Sequence, residues 1–402
     1  MTPVSEVLRR LGSGARKPGP SESLKTGVLV LAVFSTIVAH AATLEVGPGK
    51  AYAVPSAAIV AARDGDTIRI DPAGSYDNEV ALIAHDHLTI ESSGDQRVKI
   101  KTDGRVFGRK GIWVFAEGHH DLTIRGIEFS GAKISEADGA NGAGLRSQGT
   151  NLTVTNCRFH DNQDGILGGG GTTTITHCEF DHNGPTGLTH NLYINDQAGT
   201  LIFRFNNSHD SIQGHLLKSR CAVNIIEFNR LSDDNGTGSY ELDLPNGGEC
   251  DIVGNIIHQS ARSANGTIIA YGEEGVIDPK SHLNLIHNTI INDRENATFV
   301  DAPKLPADFK LVSTNNLFVG PGRRFDTKGV KPVAAGDIDT TMEKAGFVDP
   351  AKDDLRLKVD SPAAGTGVTI HEFVPAFEYV DWKSETKRAE KSPPDAGARS
   401  AM

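Results

Sequence analysis

The chain has 402 residues, of which 44 are glycine, with only 6% aromatic and 38% hydrophobic residues. So much glycine without a strict every-third spacing excludes a collagen-like chain, and it argues against a helical bundle, where each interior glycine costs about 1 kcal/mol. A formal net charge of −11 disfavours nucleic acid and anionic lipid as partners.

At the start, Arg9, Arg10, Arg16, Lys17 and Lys25 precede an apolar run over residues 27–39, which ends in Ala39-His40-Ala41. This is the order of a secretory signal, and the run is short for a membrane span, which needs about 20 residues. We expect residues 1–41 to be a signal peptide, the mature protein to be periplasmic or secreted, and no membrane association after cleavage. Subtracting the five basic and two acidic residues of that segment from totals of 40 and 51 leaves 35 and 49, a net charge of −14. Residues 55–63 (PSAAIVAAR) read as a short amphipathic helix, followed by a strand in DGDTIRID.

From there one pattern recurs: an apolar strand, a turn residue, a second short strand. It appears as LTIRGIEF (122–129), LTVTNCRF (152–159), TTITHCEF (173–180) and FRFNNSHD (203–210), and then at residues 225–234, 251–260, 283–293 and 310–320. Aligned, the turn position is Gly126, Asn156, His177, Asn206, Asn229, Asn255, Asn288 and Asn315. Asparagines stacked about 4.8 Å apart would bond to one another as a ladder and satisfy amides buried at the turn. A second turn, Asn162 to Gly165 and Asn183 to Gly187, repeats in the same register. Cys157 and Cys178 follow the turn position in adjacent coils, where a disulfide and a stack of buried thiols are both open; Cys221 and Cys250 also fall in adjacent coils. Residues 347–367 (FVDPAKDDLRLKVDSPAAGTG) read as a closing segment. From Trp382 to Met402 the chain is rich in Lys, Glu, Pro and Ala without periodicity, and we expect 371–402 to be a largely disordered tail.

Taken together, these motifs resemble the right-handed parallel β-helix, or pectin lyase-like, superfamily over most of residues 43–370. The resemblance implies an all-β, single-stranded right-handed parallel β-helix solenoid over residues 42–370, with an N-terminal capping helix. It also implies polysaccharide substrates, with lyases, hydrolases and C5-epimerases among the members. Fold alone does not choose among these.

The second strand of each middle coil reads NLYIND (191–196), LLKSR (216–220), ELDLP (241–245) and IIAYG (268–272). Placing Leu192, Leu217, Leu242 and Ile269 inward makes Tyr193, Lys218, Asp243 and Ala270 an outward column. On the same alternation Asn191, Glu241, Asn195 and Arg220 face outward too, with His190, His215 and Tyr240 stacked at the rim. Removing the C5 proton of a uronate needs a cation for the carboxylate, a base and a proton donor. Arg220 suits the first role, Lys218 the second, and Tyr193 or His215 the third. Asn191, Asn195 and His190 would contact substrate, and Glu241 with Asp243 could hold Ca²⁺. The expected protein is a monomeric polysaccharide lyase acting on an acidic polysaccharide. Its alternatives are a C5-epimerase, a glycoside hydrolase using Glu241 and Asp243, and a non-catalytic carbohydrate-binding or surface-structural solenoid.

Overall fold

The computed structural model describes residues 41–370 and 374–401, so residues 1–40 of the expected signal peptide lie outside the described residues. From Thr43 onward the chain winds through three parallel sheets, of twelve (A), ten (B) and ten (C) strands among the described residues. One coil shows the path: Thr200–Arg204 lies in sheet A, Asn207–His209 in sheet C and Leu217–Ser219 in sheet B, and Val223–Glu227 re-enters sheet A beside its starting strand. Strands this short are not stable alone; they form because each stacks on the coil before and after it.

Alternation decides which side chains fill the interior. In Thr200–Arg204, Leu201 and Phe203 are buried while Thr200, Ile202 and Arg204 are half-buried. Phe129, Phe159 and Phe180 stack down the interior with ring centroids 5.2 Å apart. Trp113 meets the upper end of this column at 5.0 Å and Phe203 its lower end at 6.2 Å. The helix Pro55–Ala61 packs against Thr43–Val46, Thr67–Ile70 and Ala81–Ile83 and buries Ala58 and Ile59. It covers an end of the solenoid that would otherwise be open to edge pairing.

The turn from sheet A to sheet C differs from the single ladder column the sequence suggests. It holds two adjacent columns. The first is left-handed: Gly126, Asn156, His177, Phe205, Phe228, Gly254, His287, Asn315 and Gly336 have φ between 52° and 68°. The second is the hydrogen-bonded ladder. Here the backbone N–H of each residue donates to the side chain one coil on, from Cys178 to Asn206, Asn229, Asn255, Asn288, Asn316 and finally Asp337, at 2.8–2.9 Å. Asparagine fits both roles, since its short amide tolerates the left-handed region, and this is why one alignment merged them. Gly126, Asn156, His177 and Asn315 belong to the left-handed column, and Asn206, Asn229, Asn255 and Asn288 to the ladder.

Thiols occupy the upper rungs. The Cys178 sulfur accepts from the backbone of Cys157 at 3.3 Å, and the Cys157 sulfur from that of Ile127 at 3.5 Å. All four cysteines are free and buried.

At the far end, Phe347–Asp349 and Asp354–Leu357 pair antiparallel and bury Phe347, Leu355 and Leu357 in a second apolar cluster. The expected disordered tail differs in the structure. Residues Phe377–Asp381 and Ser384–Lys387 form a hairpin, and Phe377 stands edge-on to Phe205 and Phe228. Further on, Ala396 and Ala398 are fully buried, and the Ala398 N–H donates to Thr289 Oγ1 at 2.9 Å. Beyond the hairpin the tail packs through small side chains and backbone N–H groups, and hydrophobic periodicity registers neither.

Candidate functional site

Sheet B presents the outward column expected from the alternation. Tyr193 pairs in register with Lys218, Lys218 with Asp243, and Asp243 with Ala270. Lys218 Nζ lies 2.7 Å from Asp243 Oδ2 and 5.5 Å from the centre of the Tyr193 ring. The Arg220 guanidinium is 5.9 Å from the same ring, and its Nε donates to the Tyr193 hydroxyl at 2.6 Å. That hydroxyl reaches Asn195 Oδ1 at 3.3 Å, on the exposed edge of the patch. Two cations and a phenol thus share one face.

Both terminal nitrogens of Arg220 are already occupied. They bind the Glu274 carboxylate as a fork, at 2.6 and 2.7 Å, and one also meets Asn246 Oδ1 at 2.6 Å. Glu274 closes on Arg220 from two coils away, and the Tyr240 hydroxyl donates to Glu273 at 3.1 Å. The Arg220 hydrogen bonds hold the Glu274 carboxyl below its ordinary range.

Asp243 is only 2% exposed. Burial pushes its carboxyl up despite the neighbouring Lys218. Its Oδ1 is buried with no hydrogen-bond partner among the described residues. Beside it His190, His215 and Tyr240 stack, with ring centroids 4.5 and 4.8 Å apart. The backbone N–H of His215 donates to His190 Nδ1, and that of Tyr240 to His215 Nδ1, both at 3.1 Å. Each imidazole therefore carries its proton on Nε2, and that of His215 points at Asp243 Oδ2, 3.4 Å away. Burial and Lys218 push His215 down to about 3, and burial also drives His190 well below its ordinary value. Both rings are neutral near pH 7. His215 therefore positions Asp243 and does not serve as a charged proton donor. His190, expected to meet substrate at the rim, is 2% exposed beneath Tyr193.

Two expected site residues face the wrong way. The Asn191 amide is buried at the corner between sheets C and B, where it receives the Asn183 amide at 3.2 Å and donates to Ser208 Oγ and the His209 carbonyl. Glu241 is buried on the interior side, reached by Gln259 Nε2 at 3.3 Å, with its carboxyl pushed well up by burial. The strands start at Leu192 and Leu242, and strict alternation does not extend into the corner before them. Glu241 and Asp243 therefore do not converge, and with Asp243 Oδ2 bound to Lys218 the pair does not fit a Ca²⁺ site.

A group the sequence reading passed over lies beneath the same sheet. Asp164 accepts from the His190 N–H at 2.8 Å, and burial pushes it up to about 7. Sheet C carries an ion-pair network of its own, in which His258 sits between Asp234 at 2.7 Å and Asp293 at 2.8 Å. Burial works against its charge, but the two carboxylates prevail and raise it to about 9. A raised histidine contributes stability that is fully present below its unfolded value near 6.5 and is lost as pH rises through about 9. His258→Gln should therefore destabilise the protein by about 3 kcal/mol more at pH 6 than at pH 9.5. Denaturant unfolding at the two pH values checks this, and an equal loss at both would refute the charged pairing.

Residues 87–277 match the family model described as "Right handed beta helix region". The chain is a right-handed parallel β-helix. The resemblance read from the sequence motifs holds at the level of this fold. A crystal structure of pectate lyase Pel9A superimposes with a TM-score of 0.47 at 14% identity, covering 86% of this chain and 90% of that one. No curated protein matches the sequence. Among the described residues of the β-helix, no helix is long and apolar enough to cross a membrane.

Proposed function

We propose that the β-helix is an exported polysaccharide lyase that binds a uronate-containing polymer across sheet B and cleaves it by β-elimination. The observation that carries this reading is the placement of Lys218 and Arg220 over the Tyr193 ring, beside a buried Asp243. Substrate carboxylate replaces Glu274 on the Arg220 fork, a geometry Glu274 already displays. Lys218 takes the C5 proton as the neutral amine: burial disfavours the charged Asp243 carboxylate, so the proton the pair shares can rest on Asp243 and free the amine, and the positive charge the pair gains with the C5 proton is balanced by the substrate carboxylate. The C5–H electrons form the C4–C5 double bond as the C4–O bond breaks, and Tyr193 protonates the departing oxygen. His190 and His215, both neutral, hold Tyr193 and Asp243 in place. The same proton abstraction would serve a C5-epimerase.

A second reading rests on Asp243 and Glu274, carboxyls that their surroundings push in opposite directions. Such a division suits the acid and base of a glycoside hydrolase.

Incubation with alginate, pectate and glycosaminoglycans separates the readings. A lyase generates ultraviolet absorbance from the new double bond. A hydrolase releases reducing ends without it, and binding with neither product would leave a carbohydrate-binding surface. In the same assay Glu274→Gln, which weakens the intramolecular clamp, should lower KM about three- to tenfold, since it removes a charge-assisted competitor worth roughly 1 kcal/mol. An unchanged or raised KM would mean that Glu274 does not compete with substrate.

A further inference from the structure

We propose that His87, His120 and Asp121 form a binding site for one divalent first-row transition cation of the zinc class, at the corner between sheets B and A. His87 follows the strand Ala81–Ile83, and His120 and Asp121 open the strand His120–Arg125 one coil on. His87 Nδ1 and His120 Nδ1 lie 3.0 and 2.8 Å from Asp121 Oδ2, and all three ligand atoms fall within 4.8 Å of one another. Tetrahedral zinc with bonds near 2 Å holds its ligand atoms about 3.3 Å apart, so a small opening of the three side chains admits the ion. All three are partly exposed, which leaves water the remaining coordination positions.

The surroundings favour a cation. The second nitrogen of His120 faces Asp86 Oδ2 at 3.4 Å, and the second oxygen of Asp121 accepts from Asn151 at 2.9 Å. Carboxylate behind histidine and amide behind carboxylate are the outer contacts that orient metal ligands. Among the described residues, the ion pairs of Asp86 and Asp121 are with imidazoles alone. The cluster Glu179, Asp181 and His209 is comparable in donor type, but Arg158 forks onto Asp181 at 2.9 Å and Arg97 meets Glu179 at 3.3 Å. Those guanidinium groups already neutralise its carboxylates and would repel an ion.

The test is calorimetric titration of the full, untagged chain with zinc chloride, together with visible absorbance on adding Co²⁺. One saturable site is expected, with ligand-field bands for Co²⁺. His120→Ala and Asp121→Asn should each weaken zinc binding by more than about tenfold. Asp86→Asn, which touches no ion directly, should weaken it by about tenfold. Asp121→Asn retains an acceptor for Asn151, and an unchanged melting temperature separates lost ligation from lost folding. Absence of saturable binding, or undiminished binding in the His87→Ala/His120→Ala double variant, would overturn the proposal.

Discussion

Replacing Lys218 by alanine should lower turnover of a uronate polymer by about 10³-fold, the range expected when a positioned proton acceptor is removed. Lys218 Nζ is the cation nearest Asp243, at 2.7 Å, and it stands beside the Tyr193 ring on the outward face. Alanine also leaves Asp243 buried without its charge partner, so part of the loss could come from disturbed packing. Lys218→Arg separates the two effects. A guanidinium keeps an ion pair with Asp243 but does not accept a proton in a protein. Its melting temperature should stay close to that of the parent while kcat falls nearly as far as in the alanine variant. Full activity in either variant would remove Lys218 from the reaction and with it the proposed elimination.

The largest effect on stability is expected from the ladder. Asn229 Oδ1 accepts from both the backbone and the side-chain amide of Asn206, at 2.9 and 3.1 Å, and its Nδ2 donates to the Phe203 carbonyl at 2.7 Å. Asn229→Leu preserves volume but strands three buried polar groups at once. At about 1–3 kcal/mol for each orphaned group, and with some relaxation of the coil, the loss should be about 4 kcal/mol. Asn156→Gly is the control, because Asn156 sits in the left-handed column, at φ 53°. Glycine adopts that conformation freely, so stability should change by less than about 0.5 kcal/mol. Denaturant unfolding followed by circular dichroism measures both. Equal losses would mean that the two columns are not distinct.

What the sequence reveals here follows from how local the physics is. The outward column Tyr193–Lys218–Asp243 is legible because alternation within a strand depends on neighbouring residues alone. Asn191 and Glu241 stand one residue before their strands, in corners, where no such rule holds. Cys157 and Cys178 are hard to recognise as ladder rungs because a thiol in that place imitates an amide acceptor only weakly. The Arg220–Glu274 fork spans 54 residues, and a contact between coils two apart leaves no periodic trace. The placement of the His215 proton on Nε2 depends on a backbone N–H from Tyr240, which composition cannot disclose.

Ladder rungs are separated by 21, 28, 23, 26, 33, 28 and again 21 residues, yet the bond from the backbone N–H of one rung to the side chain of the next stays at 2.8–2.9 Å wherever the acceptor is oxygen, and is 3.3 Å at the Cys178 sulfur. The longest interval contains the Glu273–Glu274 segment, which extends beyond the strand Thr267–Tyr271 before the chain returns to sheet A at His282. Inheritance can therefore lengthen, shorten or replace that segment without disturbing the register of any rung. A change of length in that one loop would alter what faces Arg220 on sheet B while leaving every rung in place.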